Sequence, residues 1–168
     1  MEHLYTPWRM AYIRGEKKPV DGCVFCQLEA LEQNHQIIAY SQHVFVTMNL
    51  YPYNNGHVMV IPYAHVQSPE ALETEVLTDL MVNVNRSLQA LRKIYNPPAF
   101  NLGANIGAAA GAGIAEHYHF HIVPRWPGDM NFMTVVGNTR VIPDTLENTA
   151  KELRSAWHEL FPNEENKA

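Results

Sequence analysis

The stretch His117-Tyr118-His119-Phe120-His121-Ile122-Val123-Pro124 sets three histidines at strict alternation, with an aromatic residue between each pair. Side chains of an extended strand point alternately to opposite faces. The three imidazoles therefore share one face, and Tyr118 and Phe120 take the other. A neutral imidazole is both a nucleophile and a metal ligand, and it titrates near neutral pH. The run reads as a chemical site on one strand face, against the alternative of polar decoration on a half-buried strand.

Just upstream, Gly103 to Gly113 is dominated by Gly and Ala, too small and flexible for a core strand. Gly111 and Gly113 allow close approach of backbone to a ligand, and successive N–H groups can form an anion-binding nest. A plain surface loop is the alternative. Its position before the histidines makes it a candidate phosphate cradle. Asn105 either orients a substrate oxygen or forms a turn. Asn49 closes an apolar strand before Leu50-Tyr51-Pro52, and either bonds a sugar hydroxyl or ends the strand in a turn. Leu50 and Val46 line an apolar slot for a base, or belong to the core.

Cys23-Val24-Phe25-Cys26 is the only cysteine pair. A redox dithiol would be expected after a strand in a βαβ unit, which the pattern lacks. Two thiolates with this spacing supply half of a tetrahedral zinc site. Histidines must complete it; His65 and His117 are the candidates, and spacing does not separate them from His43 or His57. Such a site, closed by four protein ligands, is structural, and no organic cofactor is expected.

Around these motifs the periodicity predicts a short helix over Val24–Glu32, then strands over Gln36–Tyr40, His43–Met48 and His57–Ile61. Ser68 and Pro69 open a long helix on which Leu72, Val76, Leu77, Leu80, Met81, Val84, Leu88 and Leu91 keep a 3.6-residue period. Pro97-Pro98 stops it. Strands follow over Phe100–Leu102, through the histidine run, and over Phe132–Val136. Asp144-Thr145-Leu146-Glu147 is a capping-box pattern opening a final helix. Strands clustered around one long helix make the fold class α+β with an antiparallel sheet.

The 168 residues are expected to form a single domain: an arm over 1–21 that partly packs down, a motif-bearing core over 22–126, and a C-terminal strand, helix and frayed tail over 127–168. Hydrophobic residues make up 46% and charged residues 17%, which fits a globular protein and argues against disorder. A net charge of −5 without a basic block disfavours polymeric nucleic acid, though not a small anion held by backbone N–H groups. No apolar run suits a membrane span and the first residues lack a signal-peptide layout, so a cytoplasmic protein is expected.

Together the histidine run, Gly56-His57-Val58-Met59-Val60-Ile61-Pro62 and Asn105 before its Gly-rich turn resemble the histidine-triad (HIT) superfamily. The continuation through Pro124-Arg125-Trp126 and Gly128-Asp129-Met130-Asn131-Phe132 is similar to a bacterial branch of diadenosine tetraphosphate phosphorylases. The resemblance implies a five-stranded antiparallel sheet with one long and one C-terminal helix. It further implies a homodimer through the long helix and an edge strand. His119 would be the nucleophile, forming a nucleotidyl-histidine at the α-phosphorus. His121 would contact the phosphate and His117 would support it. The implied zinc ligands are Cys23, Cys26, His65 and His117, and the implied ribose and phosphate contacts are Asn49 and Asn105. The implied partners are a small nucleotide and inorganic phosphate. Hydrolase members carry a Gln and a Ser or Thr shortly before the triad. Here Gly111-Ala112-Gly113-Ile114 has neither, which favours phosphorolysis over the alternative of dinucleoside polyphosphate or phosphoramidate hydrolysis. A zinc-stabilised, non-catalytic nucleotide-binding module is the remaining alternative.

Overall fold

Short β-branched and aromatic runs build five strands: β1 (Ile37–Tyr40), β2 (Val44–Met48), β3 (Val58–Pro62), β4 (Ala99–Gly103) and β5 (Phe120–Arg125). They form one antiparallel sheet in the order β1-β2-β3-β5-β4. The computed structural model describes residues 22–129, 136 and 142–162. The arm over 1–21 and the tail Glu164–Lys167 lie outside these, as does the expected strand over Phe132–Val136 except for Val136, whose backbone is helical.

The helices are α1 (Leu28–Gln33), α2 (Thr74–Tyr95) and α3 (Leu146–Leu160). Val44, Val46, Val58, Val60 and Ile122 of the sheet pack against Leu80, Val84 and Leu91 of α2 and Leu153 and Trp157 of α3. Strand alternation sends Met59 and Ile61 to the opposite face, where they meet Phe25 and Phe45. His121 pairs with Met59 across the ladder and shares that second face. One face of the sheet thus supplies the main core and the other carries the histidines.

Three expectations need correction. Ser68 and Pro69 open only a 3-10 turn (Pro69–Ala71); Leu72 is extended, and α2 starts at Thr74 without a side-chain cap. A missing cap costs about 1 kcal/mol. Each aliphatic side chain that α2 buries is worth about 1.5–3 kcal/mol, so packing sets the helix. Leu77 and Met81, despite their helical period, are exposed. The first predicted helix is split at Gln27 into a 3-10 turn, Val24–Cys26, and α1. At its other end α2 stops as expected, with Asn96 in the left-handed region before Pro97-Pro98. The cap of α3 is Thr145, whose hydroxyl accepts from the Asn148 N–H at 3.2 Å.

The two sheet edges differ. At β1, Arg154 of α3 donates through Nη1 to the His35 and Ile37 carbonyls at 2.9 and 3.2 Å. At β4, Ala99, Asn101 and Leu102 are exposed. Among the described residues no helix is long and apolar enough to cross a membrane.

Candidate active site and metal centre

The turn into β3 requires Gly56, which has φ +73° and where a Cβ would lie 2.9 Å from Leu91 Cδ2. This close approach to α2 sets the entry of His57, which is completely buried. The Tyr53 N–H donates to His57 Nδ1 at 3.0 Å, so the ring carries its hydrogen on Nε2. That Nε2–H meets His121 Nδ1 at 3.0 Å. His121 accepts there and carries its own hydrogen on Nε2, a buried atom with no hydrogen-bond partner. An unpartnered buried donor of this kind is suited to an incoming oxygen.

His119 is assigned by the same logic. Its Nδ1–H donates to the His117 carbonyl at 2.8 Å, which leaves the Nε2 lone pair unprotonated. The His119 and His121 ring centroids are 4.9 Å apart, nearly perpendicular. A lone pair on one ring and an N–H on the next form a nucleophile beside an electrophilic donor. Burial lowers the pKa of both, and for His121, with the added charge of His119, to about 4. The unfolded chain therefore binds a proton that folded His121 refuses between pH 6.5 and about 4. This contribution to stability is complete above pH 6.5 and is lost as pH falls toward 4, at up to about 1.4 kcal/mol per pH unit. Urea denaturation is expected to give a lower midpoint at pH 5 than at pH 7; equal midpoints would contradict it.

His117 faces elsewhere. Its Nε2–H donates to the Pro62 carbonyl at 2.8 Å, which turns the Nδ1 lone pair toward sulfur. Cys23 Sγ lies 3.3 Å and Cys26 Sγ 3.6 Å from that Nδ1, and Cys26 Sγ lies 3.3 Å from His65 Nδ1. All four ligand atoms fall within 4.8 Å of one another. Tetrahedral coordination with metal–sulfur near 2.3 Å and metal–nitrogen near 2.0 Å makes S···N edges of about 3.5 Å. The cluster therefore fits a four-coordinate metal ion. Desolvation and the neighbouring Cys23 sulfur push the Cys26 thiol up, so a cation is what would hold Cys26 as a thiolate. His65 and His117 join the cysteines, whereas His57 lies against His121 and the His43 backbone N–H donates to Asp79.

The histidine run itself departs from a simple strand. The β5 ladder begins at Phe120, so only His121 of the three lies within it. The Tyr118 N–H leaves the sheet for the Val66 carbonyl at 2.6 Å, beyond the end of β3. Phe25, between the cysteines, packs against both His117 and His119, with centroids 5.6 and 5.2 Å away. The candidate metal cluster and the triad thus share one aromatic ring.

The remaining candidates are placed less decisively. Asn49 adopts its turn role, accepting the Tyr51 N–H at 2.9 Å, while its Nδ2 lies 3.4 Å from both nitrogens of His57. Leu50 beside it is exposed. Gly103 pairs with His121, and open space surrounds its missing side chain. Asn105 is half-buried at the start of the loop that follows. Within that loop the N–H groups of Ala110, Gly111 and Ala112 donate to loop carbonyls, so the nest is smaller than its sequence implied. Gly113 is exposed. From the sequence, His57 stands as a rival metal ligand and as part of the Gly56–Pro62 motif, and Tyr53 and Phe25 carry no site role. The signal for His57 on the triad face was its parity with Met59 on β3.

A zinc-bound histidine triad family protein from Mycobacterium smegmatis superposes with a TM-score of 0.68 at 27% identity, covering 85% of this chain and 98% of that one. The AP-4-A phosphorylase of Mycobacterium tuberculosis is 35% identical over 165 residues, 94% of this chain and 85% of that protein. An asymmetrical bis(5'-nucleosyl)-tetraphosphatase from Schizosaccharomyces pombe is 37% identical over 84 residues, 50% of this chain and 46% of that protein. Residues 30–128, more than half of the chain, match the HIT domain model, and with the five-stranded antiparallel sheet this places the chain in the HIT domain family.

Proposed function

We propose that this protein is an enzyme that cleaves diadenosine polyphosphates by nucleotidyl transfer through His119, with inorganic phosphate as the acceptor. The observation that carries it is the complementary protonation of neighbouring rings, a lone pair on His119 Nε2 beside a hydrogen on His121 Nε2. His119 Nε2 attacks the α-phosphorus, a P–N bond forms, and the P–O bond to the leaving nucleotide breaks. The His121 N–H holds a phosphate oxygen as charge shifts onto it. A phosphate oxygen then displaces His119 and releases a nucleoside diphosphate. Similarity to the mycobacterial phosphorylase over 94% of this chain supports the substrate class. Asn49 and Leu50 are assigned to the nucleoside, and Asn105, Gly111 and Gly113 to the phosphates. The test is incubation with diadenosine tetraphosphate with and without inorganic phosphate. ATP plus ADP only when phosphate is present supports phosphorolysis; ATP plus AMP means that water is the acceptor, and no products at all would reject the enzyme.

The Cys23, Cys26, His65 and His117 cluster is assigned to a structural zinc, on its two-sulfur, two-nitrogen donor set and on the zinc-bound relative. When bound, zinc would supply a cross-link between the Cys23–Cys26 turn and the residues flanking β3 and β5. The free thiols suit a reducing compartment, and the cytoplasm is assigned on that ground. Leu77 and Met81 on α2 and Leu102 on the β4 edge are exposed, and a second copy of the chain is assigned to cover them. Sedimentation at the mass of two chains supports the dimer; a monomer across micromolar concentrations rejects it.

A further inference from the structure

Asp129 takes no part in the chemistry above, yet its Oδ2 gathers three donors. Arg125 Nε and Asn54 Nδ2 each lie at 2.8 Å and the Trp126 N–H at 2.9 Å. Arg125 is itself braced, since its Nη1 donates to Asn101 Oδ1 at 2.7 Å. Gly128, with φ +87°, closes the turn that returns the Asp129 N–H to the Trp126 carbonyl at 3.3 Å. Burial pushes the Asp129 carboxyl up, but the hydrogen bonds from Arg125, Trp126 and Asn54 outweigh it and hold the group below the usual carboxylate range. It is a charged, well-saturated anchor.

What the anchor holds is the turn before β3. Asn54 Nδ2 reaches Asp129 and also the Pro124 carbonyl of β5 at 3.0 Å, so this amide is tied to two points. Asn54 directly follows Tyr53, whose N–H assigns the hydrogen of His57. The His57 N–H in turn closes the turn on the Asn54 carbonyl at 3.2 Å.

We infer that Asp129 is a positioning residue: by clamping Asn54 it fixes the Tyr53 amide, which selects the His57 tautomer and hence the hydrogen on His121 Nε2. This rests on the role proposed for His121 as phosphate donor. The chemical consequence is specific. Should the Tyr53 N–H leave Nδ1, the Asn49 Nδ2 contact at 3.4 Å is longer than the 3.0 Å bond that was lost, and His57 can carry its hydrogen on Nδ1 instead. Its Nε2 then becomes an acceptor facing His121, which must donate from Nδ1 and turn an Nε2 lone pair toward the phosphate. A donor becomes a repelling lone pair without any side chain leaving its place.

The experiment uses the full chain, zinc included, with histidine labelled by nitrogen-15 and spectra recorded near pH 8, about 1.5 units above the ordinary imidazole pKa. Asp129→Ala is expected to lower kcat for diadenosine tetraphosphate about tenfold with KM little changed. In the same variant the His57 signals should pass from one fixed tautomer to an exchanging mixture. Asp129→Asn keeps an oxygen acceptor for Asn54 and is expected to restore most of both. Asn54→Asp, which sets a carboxylate against Asp129 at nearly constant shape, supplies the same two readings if Asp129→Ala does not fold. A folded variant whose His57 signals match the unsubstituted protein overturns the inference. So does a rise in KM with kcat unchanged. If the unsubstituted protein has no turnover, the functional reading fails, and the imidazole spectra still decide the positioning role.

Discussion

His119→Ala is expected to abolish turnover of diadenosine tetraphosphate, by about 10⁴-fold or more, while the thermal midpoint moves by only a few degrees. The magnitude follows from the chemistry proposed. Without the Nε2 lone pair no P–N bond forms, and neither His121 nor the glycine loop offers a second nucleophile in the same orientation. The ring is buried but lies on the minor face of the sheet, against Phe25, and outside the main core. Its removal therefore leaves the packing of α2 and α3 intact. Rapid-quench sampling with labelled substrate should trap a nucleotide on the unsubstituted protein and none on the variant. A variant that keeps a near-normal rate would remove His119 from the mechanism.

Loss of the metal centre is the second large effect. Metal analysis of protein prepared without chelator is expected to find one zinc per chain, and Cys23→Ser should lower that content. Zinc free at about 1,000 times its dissociation constant stabilises the folded chain by about 4 kcal/mol. For a domain of this size that corresponds to a fall of roughly 8–16 °C in midpoint on chelation. The energy comes from joining residues far apart in sequence: Cys23 and Cys26 before the sheet, His65 after β3 and His117 before β5. Activity should decline with the metal even though no reacting atom touches it. Phe25 sits between the two cysteines in sequence and packs on His119, so a loosened turn withdraws the ring that seats the proposed nucleophile. Metal-free protein with an unchanged midpoint would reject the structural assignment.

Much of this was legible in one dimension because strands and helices have fixed periods. Alternation in the histidine run and in β3 predicts which side chains share a face, and Met59 and His121 do share one. The Cys-x-x-Cys spacing likewise announces half a metal site, since a single turn brings both sulfurs together. Element starts were less legible. Ser68-Pro69 is a valid opening for a 3-10 turn as well as for a long helix, and only packing against the sheet chooses between them.

The residue types and their periods were enough to name the triad, the thiolate pair and an α+β sheet, because those signals are local. The division of labour within the triad needed the folded chain. Three imidazoles identical in composition are made different by the partner that each finds: the Pro62 carbonyl accepts from His117, the His117 carbonyl accepts from His119, and the buried His57 donates to His121. Those partners come from other strands or from a backbone direction, and hydrogen-bond direction is a property of three-dimensional placement that no spacing encodes.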